Sequence, residues 1–232
     1  MKRIKPSHLL HFAWYTSPGK FWKAPENLDW VNASIHLLKS FSNCGGKRVV
    51  FAGSCAEYDW QYGYCIEDIT PLIPNTLYGV CKNALQNIFS EFSKINDLSS
   101  AWGRIFFLYG PGEPKEKLIG NVISSLLKNE TVQTTPGEQY RDFIYVQDVA
   151  DAFVDLLDSE VSGIVNIASG VPIKIKDLIM TIGEILHKSE LIQIGKRTMD
   201  KSEPPFLVAD VIKLREKVGF VPKYNLLNGL EY

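Results

Sequence analysis

The sequence predicts an α/β fold built on a doubly wound parallel sheet, and three observations carry that prediction. Short apolar runs alternate with longer segments of helical period along the chain. Helices of roughly 10–20 residues between successive strands demand right-handed crossovers, which make the sheet parallel. Small or hydroxyl residues then close two of the apolar runs, at Ser54 and at Tyr109-Gly110. These are the strand ends where such sheets hold ligands. The 232 residues suffice for one large domain, or for a domain with an annex.

In chain order, "LLHFAW" reads as a short buried strand. "ENLDWVNASIHLLKSF" reads as a helix with Leu28, Val31, Ile35 and Leu38 on one face. "CGGKRVVFAGS" gives a glycine stop and a strand, and "TLYGVCKNALQNIFSEFSKIN" a long helix. "SSAWGRIFFLYGPGE" is a strand running into a Gly-Pro turn, and "KLIGNVISSLLKNE" is an amphipathic helix. "RDFIYVQDVADAFVDLLDSE" is a short strand followed by a helix, and "SGIVNIASG" is one more strand. "KIKDLIMTIGEILHK" and "DVIKLREKVGF" close the chain as helices. The division expected is 1–111 as a dinucleotide-binding sheet and 112–232 as a smaller α/β substrate-binding region, with 140–169 partly returning to the first sheet.

Composition narrows the function. With 45% hydrophobic and 22% charged residues and a formal net charge of −1, nothing points to nucleic acid or an anionic membrane as partner. No apolar run reaches the ~20 residues a membrane span needs, and the basic start "MKRIKPSHLLHFAW" lacks a signal cleavage site. Cys44, Cys55, Cys65 and Cys81 form no CxxC pair, so reduced thiols of a cytoplasmic protein are expected rather than disulfides or zinc ligands.

Tyr78 and Lys82 are four residues apart on the long helix and so share a face. A tyrosine phenol titrates near ~10 and exchanges protons poorly at neutrality. A cation held beside it lowers that value and makes it a usable acid or base on an alcohol oxygen. Ser54 can hydrogen-bond the same oxygen and hold it in line. A YxxxK pair alone is equally the mark of a tyrosine packed near a solvated lysine. The aromatic stretch "AWYTSPGKFW" (Trp14, Tyr15, Phe21, Trp22) serves either to stack on a nucleotide or sugar or to cover its own hydrophobic surface.

Seven ordered stretches resemble the extended short-chain dehydrogenase/reductase family, in its nucleotide-sugar epimerase, dehydratase and reductase branch. They are "LLHFAW", "WVNASIHLL" with Asn32, "VVFAGSCAEYDW" with Ser54 and Tyr58, "PLIPNTLYGVCKNA", "GRIFFLYGPGE", "YRDFIYVQDVADAF" and "GIVNIASG". The resemblance implies a Rossmann-like sheet, NAD or NADP as cofactor, a nucleotide-sugar substrate and a homodimer through the two long helices. It implies Tyr78 as acid/base, Lys82 as its electrostatic partner and ribose contact, and Ser54 as anchor of the substrate oxygen. His11 and Ala13 would line the cofactor, Arg141 would meet the substrate diphosphate, and Asn166 would bond either backbone or substrate. Arg104 is either a supporting site residue or a structural ion pair. Asp148 would cap the helix it opens, with Gln147 replacing the first acid of the family's usual pair. "GSCAEYD" has no Asp-Glu after Ser54, which argues against a 4,6-dehydratase and leaves a 4-epimerase or a 4-keto reductase acting at C4. Asp59 and Trp60 stand where many relatives have glycine, which suggests a distinct sugar.

The family's strand–GxxGxxG–helix opening, which cradles the pyrophosphate, is not in this sequence. By resemblance the chain starts at the fourth strand, with on the order of 60–80 residues missing. It is expected to be a fragment of a longer product, a catalytically inactive short relative that binds a nucleotide-sugar or a partner chain, or a chain completed by another polypeptide. A sheet edge uncovered in this way invites association.

Overall fold

Strand β2 (Arg48–Ser54) is buried along its length up to the half-buried Ser54, and covering both of its faces organises the first sheet. In the computed structural model, which describes residues 3–199 and 203–231, β2 lies between β1 (His8–His11) and β4 (Ser99–Ile105), with β8 (Gly163–Ile167) beyond. All three pairings are parallel. Val49 and Phe51 point to one face, beneath α1 (Glu26–Ser42) and α2 (Leu77–Ile95). Val50 and Ala52 point to the other, into a core shared with α4 (Val146–Asp158) through Phe153 and Leu156. A strand buried on both faces reads as the continuous apolar run seen in the sequence.

A second sheet holds β3 (Tyr64–Cys65), β5 (Phe107–Tyr109), β7 (Tyr140–Tyr145), β9 (Pro172–Lys174) and β11 (Phe206–Ala209). Its order is β3-β11-β7-β5, and β9 runs antiparallel to β7. The chain enters it at Phe106, whose N–H still bonds Ile167 O of the first sheet. Helices α3 (Leu118–Leu127) and α5 (Ile175–Ile185) cover it around Leu126, Phe143 and Ile179. A two-stranded pair, β6 (Val132–Gln133) with β10 (Ile192–Gln193), and a short α6 (Leu226–Leu230) complete the description.

Several sequence expectations change here. On α1 the buried stripe is Asn27, Ser34, Leu38 and Phe41, with Val31 and Ile35 half-buried, whereas Leu28 is 55% exposed. Two polar residues belong to the stripe because they have partners: Trp14 Nε1 donates to Asn27 Oδ1 (2.8 Å) and Ser34 Oγ meets His11 Nε2 (2.9 Å). Asn32 lies on the exposed face. "DVIKLREKVGF" is helical as expected but short and wide, with a π-helix at Leu214–Val218 ended by Gly219 at φ 83°. Asp148 does not cap its own helix; its carboxylate accepts from the backbone N–H groups of Lys223 and Tyr224 and pins the C-terminal segment to α4. Arg48 caps that helix at its other end, donating to Leu156 O and Leu157 O. Strands β3, β9 and β11 are too short to leave a pattern in the sequence.

One glycine and one histidine in this framework have measurable consequences. Gly79, in the first turn of α2, faces Ala56 so closely that a Cβ would collide with the Ala56 carbonyl oxygen and crowd Pro74. Gly79→Ala should destabilise the chain by roughly 1–3 kcal/mol, read as a lowered denaturant midpoint. His11 is held neutral by burial and, secondarily, by the Lys82 charge, which bring its pKa down from 6.5 to about 4. The unfolded state therefore takes up a proton between pH 6.5 and about 4 that the fold refuses, and stability falls as pH drops through that window. His11→Gln, measured by denaturant titration at both ends of the window, should reduce that loss by on the order of 1–2 kcal/mol, allowing for partial exposure.

Candidate active site

Ser54, Tyr78 and Lys82 meet at the carboxyl end of β2. The strand ends at Ser54 (φ −150°, ψ 147°), and a short turn over Cys55–Glu57 follows, held by a reciprocal cap. Ser54 Oγ accepts from Ala56 N (3.2 Å), and Glu57 Oε1 accepts from Ser54 N (2.8 Å). Such a cap satisfies two backbone donors that the turn would otherwise orphan. Helix α2 begins at its Thr76 cap, and Gly79 lets it approach the Ala56 carbonyl. That contact sets the Tyr78 phenol beside Ser54. One helical turn on, Lys82 Nζ donates to Ala52 O of β2 (2.9 Å).

Aromatic rings seal this cluster. Phe21 and Trp22 stand edge-on to the Tyr78 ring at centroid distances of 4.9 and 5.8 Å, and Trp14 at 6.4 Å. Lys82 Nζ sits 3.9 Å from the centroid of the Trp14 ring, a contact that partly replaces lost hydration. The loop is also tied down by its backbone, since Tyr78 N donates to Trp22 O (3.1 Å). Trp60 extends the wall, packing against Trp22 and donating from Nε1 to Cys55 O (2.8 Å).

The electrostatic outcome runs against the sequence expectation of an acidified phenol. Burial pushes Tyr78 up, the neighbouring Ser54 hydroxyl opposes this, and the Glu57 charge adds to the rise. Burial also brings Lys82 down to about 7, against the pull of Glu57. Dehydration under the aromatic cover decides both directions, because each group is disfavoured in its charged form.

Beneath Ser54 lies a buried ion pair. Glu57 Oε2 accepts from Arg104 Nε at 2.7 Å with both side chains wholly buried, and Trp102 Nε1 donates to the same carboxylate (3.0 and 3.1 Å). The Arg104 guanidinium also covers the Tyr58 ring at 4.4 Å. Of the two readings of Arg104, the structure gives the ion pair. Removing one partner of such a pair typically costs about 3–5 kcal/mol. Sequence reasoning missed Glu57; the signal available was an acid three residues after Ser54, the spacing of a capping box.

The other residues expected at the site lie apart from Ser54, Tyr78 and Lys82 or serve the framework. His11 ends β1 close enough to Lys82 to feel its charge, and Ala13 is exposed in the loop that follows. Arg141, on β7, is buried; it donates to Tyr140 O, Pro204 O and Glu203 Oε2, each at 2.8 Å. Of the two partners expected for Asn166, backbone or substrate, the structure shows the backbone. It is fully buried, Oδ1 accepts from Tyr58 Oη (2.7 Å), and Nδ2 donates to Cys65 O and Asp210 O. Both of its donors and its acceptor thus join the two sheets. All four cysteines are free, and the described residues hold no cluster of metal-ligating side chains. A cavity of about 490 Å³ beside α3 and α6, lined by Tyr109, Glu113 and Leu230, contains none of Ser54, Tyr78 or Lys82. No helix among the described residues is long and apolar enough to cross a membrane.

Comparison with known proteins accords with this geometry. Residues 1–168 match the NAD dependent epimerase/dehydratase family. The chain is 26% identical over 250 residues to the UDP-glucose 4-epimerase of Rhizobium leguminosarum bv. trifolii, spanning 97% of this chain and 76% of that protein. It is 28% identical over 167 residues to UDP-glucuronic acid decarboxylase 5 of Arabidopsis thaliana, covering 70% of this chain and about half (48%) of that relative's length. Among solved structures, the UDP-N-acetylglucosamine 4-epimerase of Methanobrevibacter ruminantium M1, in complex with UDP-N-acetylmuramic acid, superposes with a TM-score of 0.88 at 25% identity. That match covers 97% of this chain and 74% of the epimerase. The chain therefore belongs to the NAD dependent epimerase/dehydratase family, the extended short-chain dehydrogenase/reductases that its motifs resemble.

Proposed function

We propose that this chain carries the reacting half of an NAD(P)-dependent enzyme that oxidises or reduces a nucleotide-activated sugar at C4, as a 4-epimerase or a 4-keto reductase. The observation that carries this reading is the convergence of Ser54, Tyr78 and Lys82 at one strand end, with the phenol beside the serine and Lys82 bonded to the Ala52 carbonyl. In this reading Ser54 orients the sugar hydroxyl, Tyr78 takes its proton on oxidation and returns it on reduction, and Lys82 supplies the charge that makes the phenol reactive. Bound NAD(P) supplies the hydride acceptor or donor. The residues present suit its nicotinamide-ribose end: Lys82 has N–H donors beyond the one used on Ala52 O, and His11 and Ala13 lie at and just past the neighbouring strand end. A glycine loop for the pyrophosphate is not among these 232 residues. Arg141 is assigned to the substrate diphosphate, where it would exchange Glu203 for a phosphate. Homodimerisation through α1 and α2 is supported by the exposed stripe Val80, Ala84, Ile88 and by Leu28.

Proton transfer in this scheme requires the aromatic cover to admit the sugar, since Tyr78 is only 8% exposed. That same burial favours a second reading, a relative that binds a nucleotide-sugar without turning it over. Incubation with UDP-glucose and NAD, with NMR detection of the C4 epimer, and oxidation of NADPH by a 4-keto sugar nucleotide separate the two. Turnover should fall roughly 10²–10⁴-fold in Tyr78→Phe while UDP-glucose binding persists. Binding without turnover, unchanged in Tyr78→Phe, would establish the second reading instead.

A further inference from the structure

Glu57 stands at the centre of contacts that no capping role requires. A turn of this kind is capped equally well by a neutral glutamine, yet this carboxylate is buried at 0% exposure and matched to a fully buried arginine. It receives three donors, from Ser54 N, Trp102 Nε1 and Arg104 Nε. The residue before Ser54 is a glycine, and a Cβ there would collide with Trp102 Nε1 and crowd Glu57 Oε1. The carboxylate is thus packed directly against the backbone that presents Ser54. Lys82 Nζ bonds Ala52 O while Glu57 Oε1 accepts from Ser54 N, so both grip the same three residues of β2, and the Glu57 charge favours the Lys82 ammonium and disfavours the Tyr78 phenolate.

We propose that Glu57 is a positioning residue of this site: held by Arg104 and Trp102, its carboxylate fixes the Ser54 backbone and provides the counter-charge of the Lys82 ammonium. The proposal rests on the reading of Ser54, Tyr78 and Lys82 as the reacting group. The charged or titratable groups around Lys82 are Glu57 in the turn after β2, His11 on β1 and Tyr78 one turn earlier on α2. Of these, the Glu57 carboxylate alone favours the ammonium. Without it, a lysine sealed under Trp14 gives up its proton more readily, and Tyr78 loses its cationic neighbour.

The test titrates Lys82 directly, by NMR of the chain labelled with ¹³C at lysine Cε, the resonance being assigned with Lys82→Met. Glu57→Gln keeps the shape and a hydrogen-bond acceptor and removes the charge. Lys82 should then titrate about one unit lower than in the unaltered chain, and the Ser54 amide proton should move upfield as its acceptor becomes neutral. Because Glu57→Gln strands a buried arginine whose charge also disfavours the Lys82 ammonium, Glu57→Gln/Arg104→Met is measured beside it; that variant removes both charges, and Lys82 should fall less in it than in Glu57→Gln. An unchanged Lys82 titration in Glu57→Gln, or an unmoved Ser54 amide proton in either variant, melting cooperatively, overturns the proposal. With UDP-glucose and NAD, Glu57→Gln should lower kcat more than it raises KM, whereas an equal rise in KM alone would count against positioning. Absence of turnover in the unaltered chain speaks against the proposed function only, since the titration needs no turnover.

Discussion

A carboxylate withdrawn from water must find donors and a counter-charge within reach, and meeting that demand for Glu57 arranges much of the first sheet. Its partners come from the adjacent strand, where parallel pairing sets Phe51 opposite Trp102 and Gly53 opposite Arg104. A slip of one residue between β2 and β4 would turn both donors to the other face and leave the carboxylate unpaired. The same pairing brings Ile105 opposite Ser54, so the strand that anchors the acid also ends beside the serine. Register, the exclusion of a side chain at position 53 and the geometry of the Ser54 turn are therefore aspects of one constraint.

A second demand acts from the other side. Aromatic rings over Tyr78 and Lys82 bury apolar surface, which stabilises the loop, but they strip water from two groups whose chemistry depends on charge. The two demands oppose each other at Lys82. Dehydration draws its proton off, while the field of Glu57 holds it on, and the balance sits near neutrality at about 7. A site poised there responds strongly to whatever displaces the rings.

The alternation of strands and helices, the long helix bearing Tyr78 and Lys82, and the family were legible in the sequence because they rest on local periodicity and on spaced motifs. What was not legible depends on contacts between distant residues. Asn27 and Ser34 look like surface positions until Trp14 and His11 supply their hydrogen bonds. Asn166 looks like a binding residue until Tyr58, Cys65 and Asp210 take up its amide. Asp148 looks like a helix cap until the chain returns at Lys223. Spacing alone likewise suggested an acidified tyrosine, because it says nothing of the rings that close over the phenol.

The hydrogen bond from Tyr78 N to Trp22 O also bears on how such a site diversifies. It fuses the start of the reactive helix to the loop that lies over it, so the two behave as one mechanical piece. Substitutions that shift the backbone at Trp22 are transmitted to the phenol itself, however far the altered side chain lies from it. The span between Tyr15 and Lys20 lies upstream of that tether, so a change of backbone there reaches the phenol less directly than one at Trp22. How stiffly each part of this wall is coupled to the phenol is thus set by a single backbone contact rather than by distance along the chain.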